Sequence, residues 1–180
     1  MPKNDNPHSL RLNEALYTLA NVLTADAFVA AHPLSKSADV EKKYRWACDV
    51  CQALEEQFTP EDAATIRQNC RCGDGKTMAH EISTCISKAG SLFDGCKMFS
   101  QKNKYAFLDY VSEHEVIFGY HACVCSCVKR ADGPVPLLWC ECSAGYTMAM
   151  FKQLFGNTVQ VKLLSSVKSG ADRCTFRIQW

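Results

Sequence analysis

Apolar positions recur with two different periods along the chain. Leu12, Leu16, Leu19 and Leu23 fall three or four residues apart and predict one helix from about Ser9 to Ala31. His32-Pro33 would end it, because proline disfavours a helical residue before it. A second helix starts at Ser37 or Asp39 and carries Val40, Tyr44, Ala47, Cys51, Leu54 and Phe58 on one stripe, with Cys48 beside it. Thr59-Pro60-Glu61-Asp62 reads as a helix start, with Thr as N-cap, Pro in the first turn and acids near the positive end. Ala63, Ile66 and Cys70 follow at helical spacing, up to a stop at Cys72-Gly73. Met78, Ile82, Cys85 and Ile86 predict a helix ending near Gly90, Leu92 to Phe99 another, and Tyr105 to Val111 a short one.

From Glu115 the period shortens to two. His121, Cys123, Cys125 and Cys127 would share one face of a strand, as would Cys140 and Cys142. Asp132-Gly133, followed by Pro134 and Pro136, supplies turn chemistry between the two runs. A hairpin folded there would set Cys125 opposite Cys140 and Cys123 opposite Cys142, while a slip of one residue would separate the pairs. Ser143 would then cap a helix through Tyr146, Met150, Phe151 and Phe155, closed by Gly156-Asn157. Val159, Val161 and Leu163 alternate with polar residues, as do Cys174, Phe176 and Ile178, giving two final strands. The expected fold is α+β: N-terminal helices packed on an antiparallel sheet, then a C-terminal hairpin-helix-strand-strand unit. Residues 1–112 would form the helical part and 113–180 the α+β part, together one compact domain.

Charge and composition narrow the function classes. Twenty basic and nineteen acidic residues leave no electrostatic footprint for nucleic acid or anionic lipid. No apolar run approaches the roughly 20 residues needed to cross a bilayer. The N-terminal segment lacks an apolar export signal, so a cytoplasmic location is expected. In a reducing compartment the twelve cysteines read as metal ligands, reactive thiols or small buried hydrophobes. Cys48 and Cys51 lie on an apolar helix face and read as packing. Cys70 and Cys72 open into the loop Gly73-Asp74-Gly75-Lys76, where ligand binding and packing are both open.

Residues 140–178 carry Cys140-x-Cys142-Ser143-x-Gly145-Tyr146, Val159-x-Val161-x-Leu163, Gly170-Ala171-Asp172 and Cys174-x-Phe176-x-Ile178. This set resembles the 4-vinyl-reductase-like domain, related to the aminothiazoline-carboxylate hydrolase family and the Bet3-type fold, and within it a cysteine-rich bacterial branch. The resemblance implies a pocket for a small hydrophobic ligand between sheet and helices, and cysteines that hold a metal.

Two functions follow as expectations. The first is a cytosolic, sensor-like module in which Cys123, Cys125, Cys140 and Cys142 hold zinc or an iron–sulfur cluster. It would take a small hydrophobic or thiol-reactive ligand near Cys70, Cys72, Gly145 and Tyr146, with a homodimer as the candidate assembly. The second is a hydrolase of small cyclic or thio-amides, with Cys142 as nucleophile, or a metal-bound water, and His121 as base. Cys142, just before the expected helix, would gain acidity from its N-terminus. For His121 the plain alternative is a satisfied strand histidine.

Overall fold

A computed structural model describes residues 4–180, which divide into two compact units. The first comprises the residues up to Arg71 together with Cys125–Cys142; the second comprises Cys72–Val124 and Ser143–Trp180. The boundaries between these units are at 71/72, 124/125 and 142/143.

The first unit contains α1 (Pro7–Leu16), α2 (Val22–Ala31), α3 (Val40–Gln57) and α4 (Pro60–Asn69). The single helix expected over residues 9–31 is two. The Thr18 hydroxyl donates to the Ala15 carbonyl at 2.7 Å, and Asn21 opens a new helix by accepting from the Thr24 N–H at 3.0 Å. Leu12 and Leu16 are buried accordingly, while Leu19 and Leu23 beyond the break are 45% and 82% exposed. Asp39 caps α3 through the Lys42 N–H at 2.8 Å, and Thr59 caps α4 through the Asp62 N–H at 3.1 Å. The returning segment is tied to α3 where the Tyr44 hydroxyl donates to the Pro134 carbonyl at 2.9 Å. It ends in a 3-10 turn, Leu137–Cys140, whose Trp139 packs edge-on against Trp46 at 5.7 Å between ring centres.

In the second unit, α5 (Lys76–Ala89) and α6 (Leu92–Lys102) pack together and α6 packs on a four-stranded sheet. Gly95 of α6 lets the helices approach closely, since a Cβ there would stand 2.6 Å from the Ile86 Cα. The strands are β1 (Ala106–Ser112), β2 (Glu115–Tyr120), β3 (Gln160–Ser165) and β4 (Cys174–Gln179), all antiparallel in the order β1-β2-β4-β3. Residues 105–111, expected as a short helix, are mostly strand β1: Phe107, Tyr110 and Val111 suit a pleated surface, and β2 follows as its partner. Helix α7 (Glu141–Phe155) contributes its first two residues to the first unit and the rest to the second. The α+β class, with N-terminal helices and an antiparallel sheet of C-terminal strands, is therefore observed, and the hairpin is β1–β2, ahead of the cysteine run. Phe118, Phe151 and Phe176 form the aromatic centre of this unit, with Phe118 and Phe151 edge-to-face at 5.7 Å. Among the described residues no helix is long and apolar enough to cross a membrane.

Candidate functional site

The hairpin expected between Cys123 and Cys142 does not form. Residues 121–136 contain turns and bends but no strand, Cys140 closes the 3-10 turn, and Cys142 lies within the first turn of α7. The reason lies in the partner run: residues 137–142 are taken up by the 3-10 turn and the start of α7, so the segment after β2 has no second strand to pair with. Helix α7 begins at Glu141 rather than after Ser143, continuing directly from the 3-10 turn. Cys123 belongs to the second unit, whereas Cys125, Cys140 and Cys142 belong to the first. Among the described residues, no group of three or more His, Cys, Asp or Glu side chains is placed to hold a metal ion.

What the first unit assembles instead is a buried cation among thiols. Arg67 of α4 is 2% exposed, and its guanidinium lies 3.9 Å from the centre of the Trp139 ring. One terminal N–H donates to the Trp139 carbonyl at 2.9 Å, while the Arg67 Nε and the Trp139 Nε1, both buried, have no hydrogen-bond partner among the described residues. Neighbouring contacts fix the arrangement. Gln68 donates to the Glu141 carboxylate at 2.9 Å, and the Cys70 thiol donates to the Ile66 carbonyl at 3.2 Å. Among the described residues Arg67 has no carboxylate partner. Burial works against its charge, but the thiols of Cys70, Cys142, Cys51 and Cys125 act the other way and prevail, holding the guanidinium above its ordinary value.

The same coupling acts back on the thiols, and burial decides how far. Cys51 is wholly buried, and desolvation pushes its thiol up to about 12 although Arg67 pulls it down. Cys70 and Cys142 are 4% and 9% exposed, and Cys125 is half-buried, so the group is open to solvent chiefly at Cys125. His8 adds a second sensitive group. Burial first, then Arg11, Arg67 and Lys43, lower its imidazole to about 4. Its Nδ1 faces an Arg11 guanidinium nitrogen at 2.9 Å, which requires an unprotonated acceptor there.

The other expected residues are dispersed. His121 is exposed in the second unit, its ring 5.3 Å from that of Phe107 and its N–H donated to the Tyr105 carbonyl. Cys72 is exposed in the second unit, and Cys70, buried in the first, is the C-cap of α4. Gly145 is buried within α7. Tyr146 is half-buried beside Gly73, and burial, followed by Asp74 and Glu81, raises its phenol above the ordinary value. Arg67 was not singled out from the sequence, although a signal existed. It stands four residues after Ala63 and three before Cys70, on the apolar stripe that α4 buries.

A family model described as "Family of unknown function (DUF6144)" matches residues 10–180. The chain belongs to that family. Membership of DUF6144 corrects the resemblance to the 4-vinyl-reductase-like domain, whose short alternating motifs lie in ordinary strands and at the start of α7. Among curated proteins none matches the chain. Solved structures similar to it include H-NOX domains. One is an H-NOX domain from Shewanella oneidensis in the Fe(II)CO ligation state, 12% identical over 97% of each chain, with a TM-score of 0.44. Another is an H-NOX protein from S. oneidensis in the Fe(II)NO ligation state, 13% identical over 97% of this chain and 98% of the other, with a TM-score of 0.43. A likeness of that strength carries neither a ligand nor an activity across to this DUF6144 member.

Proposed function

We propose that the chain is a sensor-like binding module whose first unit takes up a small thiol-reactive ligand at the cysteines around Arg67. The observation that carries this reading is a buried guanidinium bonded to the Trp139 carbonyl and stacked on its ring, electrostatically coupled to nearby thiols, with no carboxylate partner among the described residues. A buried arginine kept for structure alone is ordinarily paired with a carboxylate, because an unpaired buried ion costs several kcal/mol. Placed among thiols, the fixed charge favours the thiolate, which is the nucleophile and the soft-metal ligand. Zinc or an iron–sulfur cluster needs three or four converging ligands, so a ligand that engages one or two thiols fits this arrangement better. Cys125 offers the entry, with Cys142 next in exposure.

The test is the rate of alkylation by iodoacetamide in the folded chain at about pH 8.5, near the ordinary thiol value, read cysteine by cysteine by mass spectrometry. Arg67→Met should slow labelling of Cys125 or Cys142 several-fold and leave the exposed Cys72 unchanged. Equal rates at both cysteines in the parent chain and in Arg67→Met would overturn the proposal.

A further inference from the structure

We propose that the second unit carries a separate binding site for a small aromatic carboxylate, in the groove between α5 and the connection from α6 to β1. The groove encloses about 670 Å³, within the roughly 300–1,000 Å³ of small-molecule sites. Phe99 and Cys85, 1% and 6% exposed, supply its apolar lining. Tyr105, at 77% exposure, presents its ring at the rim. An aromatic ring held this open to water has its faces available for stacking.

The rim is built rather than loose. The Asn103 side-chain oxygen accepts from the Tyr105 N–H at 3.0 Å and the Ala106 N–H at 2.9 Å, and the Tyr105 carbonyl accepts from the His121 N–H at 3.1 Å. The Asn103 amide donates across the groove to Glu81 at 3.4 Å; Glu81 is the one carboxylate lining the groove, and it is outnumbered there by two lysines. Lys102 and Lys104 line the same groove, both exposed, and among the described residues neither has a carboxylate partner. An apolar lining, an exposed ring and two ammonium groups together select a planar apolar body with one negative end. Such a ligand stacks on Tyr105 over Phe99 and Cys85, with its carboxylate toward the lysines.

The experiment titrates the full chain, labelled with nitrogen-15, with 2-naphthoate and in parallel with the uncharged 2-naphthylmethanol. Saturable shifts of the Asn103, Lys104 and Tyr105 amides are expected with the carboxylate. Affinity for the alcohol, and that of the Lys102→Gln/Lys104→Gln variant for the carboxylate, should each be about five- to tenfold lower. Tyr105→Ala should weaken both ligands. The proposal is overturned by the absence of saturable shifts at these amides, by equal binding of acid and alcohol, or by indifference to loss of both lysines. These outcomes are independent of the thiol chemistry of the first unit, which the alkylation rates read.

Discussion

Replacing Arg67 by methionine separates a structural charge from a functional one. Methionine keeps an unbranched apolar chain against the Trp139 ring, so little packing is lost. The substitution removes a desolvated cation–π contact of about 2 kcal/mol and a charge-assisted bond to the Trp139 carbonyl of about 2 kcal/mol. It also removes a buried cation without a carboxylate partner among the described residues, whose effective burial penalty is on the order of 4 kcal/mol. The terms nearly cancel, and Arg67→Met should change stability by no more than about 1 kcal/mol in urea unfolding. Arg67→Ala loses the same interactions and also leaves a cavity, so it should be about 2–3 kcal/mol less stable than Arg67→Met. Far-UV circular dichroism across a urea series, with both variants beside the parent chain, measures this. A loss of about 3 kcal/mol or more in Arg67→Met would refute the reasoning, because that is the cost of breaking a buried pair. One of the surrounding thiols would then be ionised at rest and the charge would hold the fold together.

Three further outcomes follow from the same structure. His8 has its imidazole lowered to about 4. Between that value and the ordinary 6.5 the unfolded chain therefore binds the extra proton, so stability rises with pH through that window and is lost as pH falls through it. Urea midpoints at about pH 4.5 and about pH 7 should differ in the parent chain and converge in His8→Gln. Burial pushes the thiols of Cys51 and Cys96 up to about 12, so both should resist iodoacetamide in the folded protein at about pH 8.5 and label only in denaturant. Their linkage has the opposite direction: the unfolded chain loses these protons first, and stability falls as pH rises from 9 towards 12. Gly119 sits mid-sheet, where a Cβ would overlap the Cys174 carbonyl and the Phe107 ring; Gly119→Ala should cost about 3 kcal/mol or more by thermal unfolding.

Much of the fold was legible because local chemistry and tertiary structure agree. Thr59-Pro60 opens α4, Asp39 caps α3, Gly90 closes α5 in the left-handed region, and Cys174, Phe176 and Ile178 bury one face of β4. Where the reading failed, a non-local partner decided the outcome. Alternating cysteines suggest a strand only if a neighbouring strand is available, and the run expected to pair with them, Cys140 to Cys142, is instead the end of a 3-10 turn and the start of α7. Leu19 and Leu23 continued a helical period that Asn21 interrupted with a side-chain hydrogen bond. Arg67 was not legible from spacing. It is a charge on an apolar stripe, and a search for spaced cysteines and histidines passes over it.

The first unit is written in two pieces of sequence. Arg67 and the carbonyl it reaches are 72 residues apart, and the whole of Cys72–Val124 is made in between. During synthesis the guanidinium, the thiols of α3 and that of Cys70 therefore leave the ribosome long before Trp139 exists to cover them. Over that interval they remain hydrated and open to oxidants. Chains stalled or cut anywhere before residue 139 would keep an uncovered arginine and accessible sulfhydryls, a state that thiol-specific labelling of nascent chains can tell from the finished protein. The quality of recombinant material should consequently depend on the redox state maintained during translation more than on how it is handled afterwards.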